Sequence, residues 1–320
     1  MQQLLRFSTD ALPERDRIAI WREVFGRYVV NVRFETIGDG AFYQNATLRS
    51  LPGLSLASGS GSGFRSSRTR ELVADGNDNL NLAICIAGSA EFRQLGREAL
   101  VGAREAVLLS YADESALLSP SDSRALVISA PRKAIAEVVR DPEATLCRPL
   151  PRSEMLRLLV SYVQSTDGLS LETPGLGQAF ATHVQDLMAL AIGATSDGEE
   201  LARGRGLRAA RLAAIKVDIG RSLGRSDLSI SALALRHRVT PRYIQKLFES
   251  EGTTFTEYVI ERRLLEASRM LADPQFANHS IGELALKAGF RDLPYFTRSF
   301  RRRFGMTPTD TREQARRERE

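Results

Sequence analysis

At 320 residues the chain is long enough for two domains, each with its own core. Residues 201–320 hold 24 Lys+Arg against 14 Asp+Glu, a net +10, while residues 1–200 carry −5, which assigns contact with a polyanion to the C-terminal part. The two cysteines, Cys85 in an apolar run and Cys147 beside Arg148-Pro149, form no spaced pair, so neither a disulfide framework nor a zinc site is expected.

The opening MQQLLRFSTD lacks the cationic stretch and long apolar core of a signal peptide. No run approaches about 18 apolar residues, so a cytoplasmic protein without a membrane span is expected. Residues 13–28 carry Ile18, Trp21, Phe25 and Tyr28 at helical spacing. From about residue 44 to 130 the pattern changes to short apolar segments, LNLAICIAG (80–88), EAVLLSY (105–111) and RALVISA (124–130), separated by the turn-rich ADGND (74–78) and SPSDS (119–123). Short strands with regular turns indicate an all-β sandwich or barrel. The run SGSGSG (58–63) lacks the Lys-Ser/Thr and strand–helix context of a phosphate loop and reads as a flexible turn.

Helical periodicity returns over 153–166 and 176–193, two helices whose apolar faces pack on each other or on a second subunit. SDGEELARGRG (196–206) is polar and Gly-containing, the composition of an interdomain linker. Beyond it, two segments repeat. Ser229, Ile230, Leu233, Ala234 and Leu235 match Ser280, Ile281, Leu284, Ala285 and Leu286 at an offset of 51; after one extra turn residue, Tyr243, Ile244, Lys246 and Phe248 match Tyr295, Phe296, Arg298 and Phe300 at 52. Each copy reads as a short helix, a tight turn and a second helix with apolar residues inside and cations outside, a helix-turn-helix. His237-Arg238 stands in the first turn where the second has Ala288-Gly289, the latter free to take a conformation that a side chain resists. Thr240-Pro241 is a cap followed by an N1 proline.

Between the copies, TFTEYVIERRLLEASRMLADP (254–274) presents Phe255, Tyr258, Leu264, Ala267 and Leu271 as the buried face of one helix. Such a rod would hold two reading heads for successive major grooves about 34 Å apart. In the second copy Asp292 caps a helix, Pro294 fits its first turn, Gly305 ends it and Pro308 prevents resumption. Phe296, Phe300 and Phe304 share one side of that helix; Pro294, Tyr295, Arg298, Arg301 and Arg302 share the other. The tail TREQARRERE is mixed in charge and reads as a frayed helix.

IGELALKAGFRDLPYFTRSFRRRFGMTP, RRLLEASRML and VTPRYIQKLF closely resemble the DNA-binding domain of the AraC/XylS family of transcriptional regulators, over residues 205–315. The resemblance implies that residues early in both recognition helices read bases: Arg242, Gln245 and Lys246 in the first, Pro294, Tyr295 and Arg298 in the second. Leu293-Pro294 departs from the polar residues usual there and leaves apolar contact with a thymine methyl. Arg242 and Arg298 suit guanine O6/N7 and Gln245 suits adenine. Ser229, Thr240, Ser280, Arg301 and Arg302 suit phosphates, which set register without reading sequence.

FRSSRTRELVADGNDNLNLAICIAGSAEFRQLGREALVGAREAVLLS (64–110) is similar to the cupin-like effector and dimerisation domain of the same family, with VGAR (101–104) in place of the more usual Gly-Asp turn. The expected fold is therefore α+β: a cupin-like β-barrel or sandwich (1–150), linker and dimerisation helices (151–204), and an all-α domain (205–315) with two helix-turn-helix motifs joined by a long helix. The expected partners are double-stranded promoter DNA, a small organic effector of the kind the family senses, often aromatic, RNA polymerase, and a second copy of the chain. No cofactor and no catalytic residue are expected. Trp21, Arg49, Arg65 and Arg68 are the candidates for an effector, the arginines for a carboxylate; the competing reading makes them a core tryptophan and strand-edge arginines.

Two enzymatic readings compete. A metal-dependent cupin needs several His and a carboxylate, but the only histidines, His183, His237 and His279, lie outside the β-region. A DNA-repair protein that accepts alkyl groups needs an activated thiolate with cationic or His partners, which neither Cys85 in LNLAICIAG nor Cys147 in TLCRPLP has in sequence.

Overall fold

The first strand, β1 (Gln3–Ser8), forms from the segment that precedes the predicted helix, because Leu48 and its neighbours offer an antiparallel partner edge. In chain order there follow α1 (Glu14–Tyr28), β2 (Arg33–Thr36), β3 (Gln44–Leu51), β4 (Leu54–Gly61), β5 (Phe64–Arg68), α2 (Arg70–Val73), β6 (Leu80–Ala87), β7 (Ser89–Gln94), β8 (Arg97–Gly102), β9 (Ala106–Ser110), β10 (Ser115–Ser119) and β11 (Arg124–Ala130). Then come α3 (Arg132–Ala136), β12 (Pro149–Leu150), α4 (Glu154–Gln164) and α5 (Leu176–Ile192). The computed structural model describes residues 3–318 except 39, 121–122, 140, 168–170, 172, 174, 194–205 and 226. It divides into two units, Met1–Ala210 and Arg211–Glu320. All but the last residue of the stretch expected to link domains, 196–206, lies outside the described residues.

In the first unit a seven-stranded sheet, ordered β1-β3-β4-β11-β6-β9-β12, accompanies a five-stranded sheet, ordered β2-β5-β10-β7-β8. The strands pair antiparallel. Apolar side chains form the core: Trp21, Phe42, Leu48, Ala57 and Tyr111 in one cluster, Ala83, Phe92, Val101 and Leu109 in another. Burial of this kind yields about 25 cal/mol per Å² of apolar surface and drives the fold. Helices α4 and α5 pack on each other through Tyr162 stacked on Phe180 at 5.4 Å, with Tyr162 Oη 2.8 Å from His183 Nδ1. Burial pushes the Tyr162 phenol up to about 12.

Only the last two residues of SGSGSG, Ser62 and Gly63, connect strands. Ser58–Gly61 belong to β4, and a Cβ on Gly59 would stand 2.5 Å from the Asn45 carbonyl oxygen of β3. The glycines serve close backbone approach between strands, which composition alone does not distinguish from flexibility.

In the second unit, α6 (Arg208–Ser222) leads into it and is followed by α7 (Ile230–Arg236), α8 (Pro241–Glu249), α9 (Phe255–Ala272), α10 (Ile281–Lys287), α11 (Leu293–Phe304) and α12 (Pro308–Arg317). Nearly every start is capped as its sequence demands. The hydroxyls of Ser229, Thr240, Thr254, Ser280 and Thr307 and the carboxylate of Asp292 each accept from a backbone N–H three residues on. Thr254–Glu257, Ser280–Glu283 and Thr307–Asp310 complete reciprocal capping boxes. The third box makes the tail an ordered helix to Arg317, packed against α9, rather than a frayed end.

The apolar residues sort into two separate cores. Ile215, Ile219, Leu233, Ile244, Leu247 and Phe248 form the first; Leu264, Ala267, Leu284, Phe290, Phe296 and Phe300 form the second. The bridging helix α9 gives Val259 to one and Leu264, Ala267, Met270 and Leu271 to the other. One rigid rod thus carries both motifs.

Candidate nucleic-acid interface and ligand cavity

Each motif is closed by the same bond. Val239 N–H donates to the Ala234 carbonyl at 2.9 Å in the first turn, and Phe290 N–H donates to the Ala285 carbonyl at 2.8 Å in the second. Ala234 and Ala285 are buried, 3% and 2% exposed, where small side chains let the paired helices meet closely. Burying Ile244 and Phe248 in α8, and Phe296 and Phe300 in α11, forces the opposite sides of those helices outward.

Those outward sides carry the sequence-predicted residues. Arg242, Gln245 and Lys246 are exposed on α8; Pro294, Tyr295, Arg298, Arg301 and Arg302 are exposed on α11. None of Arg242, Lys246, Arg298, Arg301 and Arg302 forms an ion pair among the described residues. Arg303, by contrast, is held by Glu261 at 2.7 Å and Arg236 lies 3.5 Å from Asp218. These five unpaired cations lie on two exposed helix faces, where a polyphosphate would replace solvent as their partner. Ser229, Thr240 and Ser280 are exposed at helix starts; each hydroxyl oxygen is engaged in its cap, which leaves the O–H proton to donate to a phosphate. Glu283, which accepts from Ser280 N–H at 2.6 Å, sets a negative charge beside the last of these.

His237 is a tie rather than a contact. Its Nε2 lies 2.9 Å from Asp218 Oδ2 and joins the first turn to α6.

In the first unit a cavity of about 150 Å³ is walled by Trp21, Phe34, Phe64, Phe92 and Tyr111 among others. Of the four residues singled out for an effector, Trp21 and Arg68 line it, while Arg49 and Arg65 do not. Strand alternation explains the division: Phe64, Ser66 and Arg68 of β5 point inward and Arg65 outward, opposite Glu35 of β2. Arg49 donates to the Thr166 carbonyl at 3.0 Å.

Arg68 is wholly buried, and four of its five N–H donors are committed. Nε donates to the Tyr111 carbonyl at 2.7 Å, one terminal nitrogen donates to the Asn31 carbonyl and to Asp75 Oδ2, and the other donates to Asp75 Oδ1 at 2.7 Å. Hydrogen bonding from Arg68 holds the Asp75 carboxyl below its usual range. Burial pushes the Tyr111 phenol up, which keeps it a neutral hydroxyl. Sequence reasoning missed Asn81, whose buried side chain also lines the cavity. The available signal was a lone amide in phase with Ala83 and Cys85 on the inward face of an apolar strand.

The chain thus joins, in one sequence, a β-sandwich unit with an aromatic cavity and a helical unit with two exposed, cation-bearing helices on one rod. Residues 21–193, more than half of the chain, match the AraC-binding-like domain, and residues 233–314 match a helix-turn-helix domain. The chain belongs to the AraC/XylS family of transcriptional regulators. It is similar to the transcriptional activator RhrA of Rhizobium meliloti (strain 1021), 34% identical over 192 residues, 60% of this chain and 57% of RhrA. The aligned chain therefore spans little more than half of that relative. It is also similar to the transcriptional activator NphR of a Rhodococcus species, 27% identical over 242 residues, 74% of this chain and 70% of NphR. Among solved structures, the AraC-like transcriptional activator CuxR matches 89% of this chain and 100% of its own, with 18% identity and a TM-score of 0.49.

Proposed function

We propose that this protein is a one-component transcription activator that binds promoter DNA through both helix-turn-helix motifs and responds to a small organic molecule held in the β-sandwich. The observation that carries the reading is the pair of separate cores on one rod, each exposing a helix with unpaired cations. In this reading Arg242, Gln245, Lys246, Pro294, Tyr295 and Arg298 face base edges, and Ser229, Thr240, Ser280, Arg301 and Arg302 face phosphates. Activation, the activity in the names of RhrA and NphR, implies contact with RNA polymerase in the cytoplasm. Two chains paired through residues 1–204 would offer four reading helices to repeated half-sites. Ligand would act by binding one arrangement of the protein more tightly than another.

Sequencing of duplex fragments retained by the full-length protein tests this: a shared motif with two half-sites about one helical turn apart is expected. Retention of all duplexes alike would reduce the protein to a general DNA coat.

The alkyl-accepting alternative loses its nucleophile. Cys85 and Cys147 are buried, and burial pushes both thiols up, away from the thiolate that such chemistry requires.

A further inference from the structure

Two residues that line the cavity of the first unit each carry a buried polar atom without a partner. Trp21 is 4% exposed and Asn81 is 6% exposed; Trp21 Nε1 and Asn81 Oδ1 are both buried and meet no hydrogen-bond partner. Both residues line the cavity. Buried polar groups are satisfied in the great majority of cases, and an unsatisfied donor and acceptor on two residues of one cavity lining point to the polar character of what should enter it. The indole N–H requires an acceptor and the Asn81 carbonyl requires a donor.

Size and charge narrow the choice. A cavity of about 150 Å³ lined by apolar side chains is of the size that takes a single six-membered ring. The aromatic wall suits such a ring: Trp21, Phe25, Phe34 and Phe64 form a chain of ring contacts at 5.4–6.1 Å. The buried guanidinium of Arg68 is neutralised by Asp75 and bonded to two backbone carbonyls, so an incoming carboxylate would find no uncommitted cation in the interior. Arg124, the other charged residue of the lining, is exposed. Burial of an unpaired carboxylate is unfavourable.

We infer that the cavity binds an uncharged single-ring aromatic effector whose polar group supplies an acceptor for Trp21 Nε1 and a donor for Asn81 Oδ1, as a carboxamide or phenol does and a carboxylate does not. Arg68 is then a strut of the cavity rather than a carboxylate clamp. This rests on the reading of the first unit as the ligand-sensing part. It sharpens that reading from a small organic molecule to a protonation state and a hydrogen-bonding pattern.

Trp21 is the sole tryptophan, so the intrinsic fluorescence of the full-length protein reports on the cavity directly. Benzamide and benzoate are near-isosteric probes that differ in charge, and toluene fills the same space without polar atoms. Benzamide is expected to give a saturable fluorescence change and a raised Tm, with benzoate at least about tenfold weaker. Asn81→Leu is expected to weaken benzamide about tenfold while leaving toluene unchanged or tighter, and Trp21→Phe, followed by thermal shift, to do the same. The comparison of the three probes on the unaltered protein requires no variant to fold. Benzoate binding as tightly as benzamide would overturn this inference and leave the ligand-sensing reading standing. Absence of binding by all three, at concentrations that saturate ordinary aromatic sites, would overturn both.

Discussion

Arg238 and Gly289 occupy the same left-handed backbone position in the two helix-turn-helix turns, at φ 53° and 99°. Only the second is closed to a side chain. A Cβ on Gly289 would run into the Leu223 carbonyl oxygen, which accepts from Arg263 Nε at 3.1 Å, whereas Arg238 is exposed. The two copies share a backbone and differ in what surrounds it.

The first prediction follows from that asymmetry. Arg238→Gly relieves a left-handed residue and should stabilise the protein by about 0.5–1 kcal/mol after the added freedom of the unfolded chain is counted. Gly289→Ala meets both strain and collision and should cost about 2 kcal/mol or more. Denaturant unfolding of the two variants checks the opposite signs.

The two cores should fail separately. Phe296→Ala removes a ring with no exposed surface from the second core, and Ile244→Ala does the equivalent in the first, each costing about 2–5 kcal/mol. Footprinting should show loss of one half-site with each variant, and a different one. Loss of the entire footprint with either would mean that the rod does not insulate the motifs.

Arg298 and Arg302 should separate base reading from phosphate contact. Arg298→Ala should relax base preference at one operator position by about 1–3 kcal/mol, while Arg302→Ala should weaken all sequences alike and lower the salt slope by about one unit. Competition binding over a salt series distinguishes them; identical effects would contradict the assignment.

The buried Arg68–Asp75 pair should appear in acid. Because Asp75 titrates below its ordinary value of 3.8, its contribution is complete above that value and is lost as the pH falls through the lower folded value. Asp75→Asn leaves the buried guanidinium without its counter-charge and should cost about 3 kcal/mol or less at pH 7, the Asp75 side chain being 30% exposed. Stability measured from pH 7 to pH 2 should converge for the two proteins at the acid end.

The second unit was highly legible because its information is local. Caps, N1 prolines, the Gly305 stop and the four-residue spacing of Phe296, Phe300 and Phe304 act within a turn or two of chain, and the duplicated pattern repeats most of them in register. Burial was less legible from residue type: Leu235 and Leu286 match in the repeat, yet stand 84% and 62% exposed. The first unit was harder because its partners are distant. Gln3–Ser8 becomes a strand only because β3 is available to pair, and SGSGSG looks flexible until Asn45 is seen pressing on Gly59.

The sequence by itself determined the two-headed, cation-faced C-terminal module and the β-rich character of what precedes it, since helix periodicity, capping and charge are properties of neighbouring residues. Only the tertiary structure decided which polar groups share a cavity. Sheet pairing and the packing of α1 bring Trp21, Arg68 and Asn81 to one interior, turn Arg65 outward, and commit Arg68 to Asp75 and two backbone carbonyls. Those outcomes depend on strand register and, apart from the seven-residue step from Arg68 to Asp75, on contacts across tens of residues that no local pattern encodes.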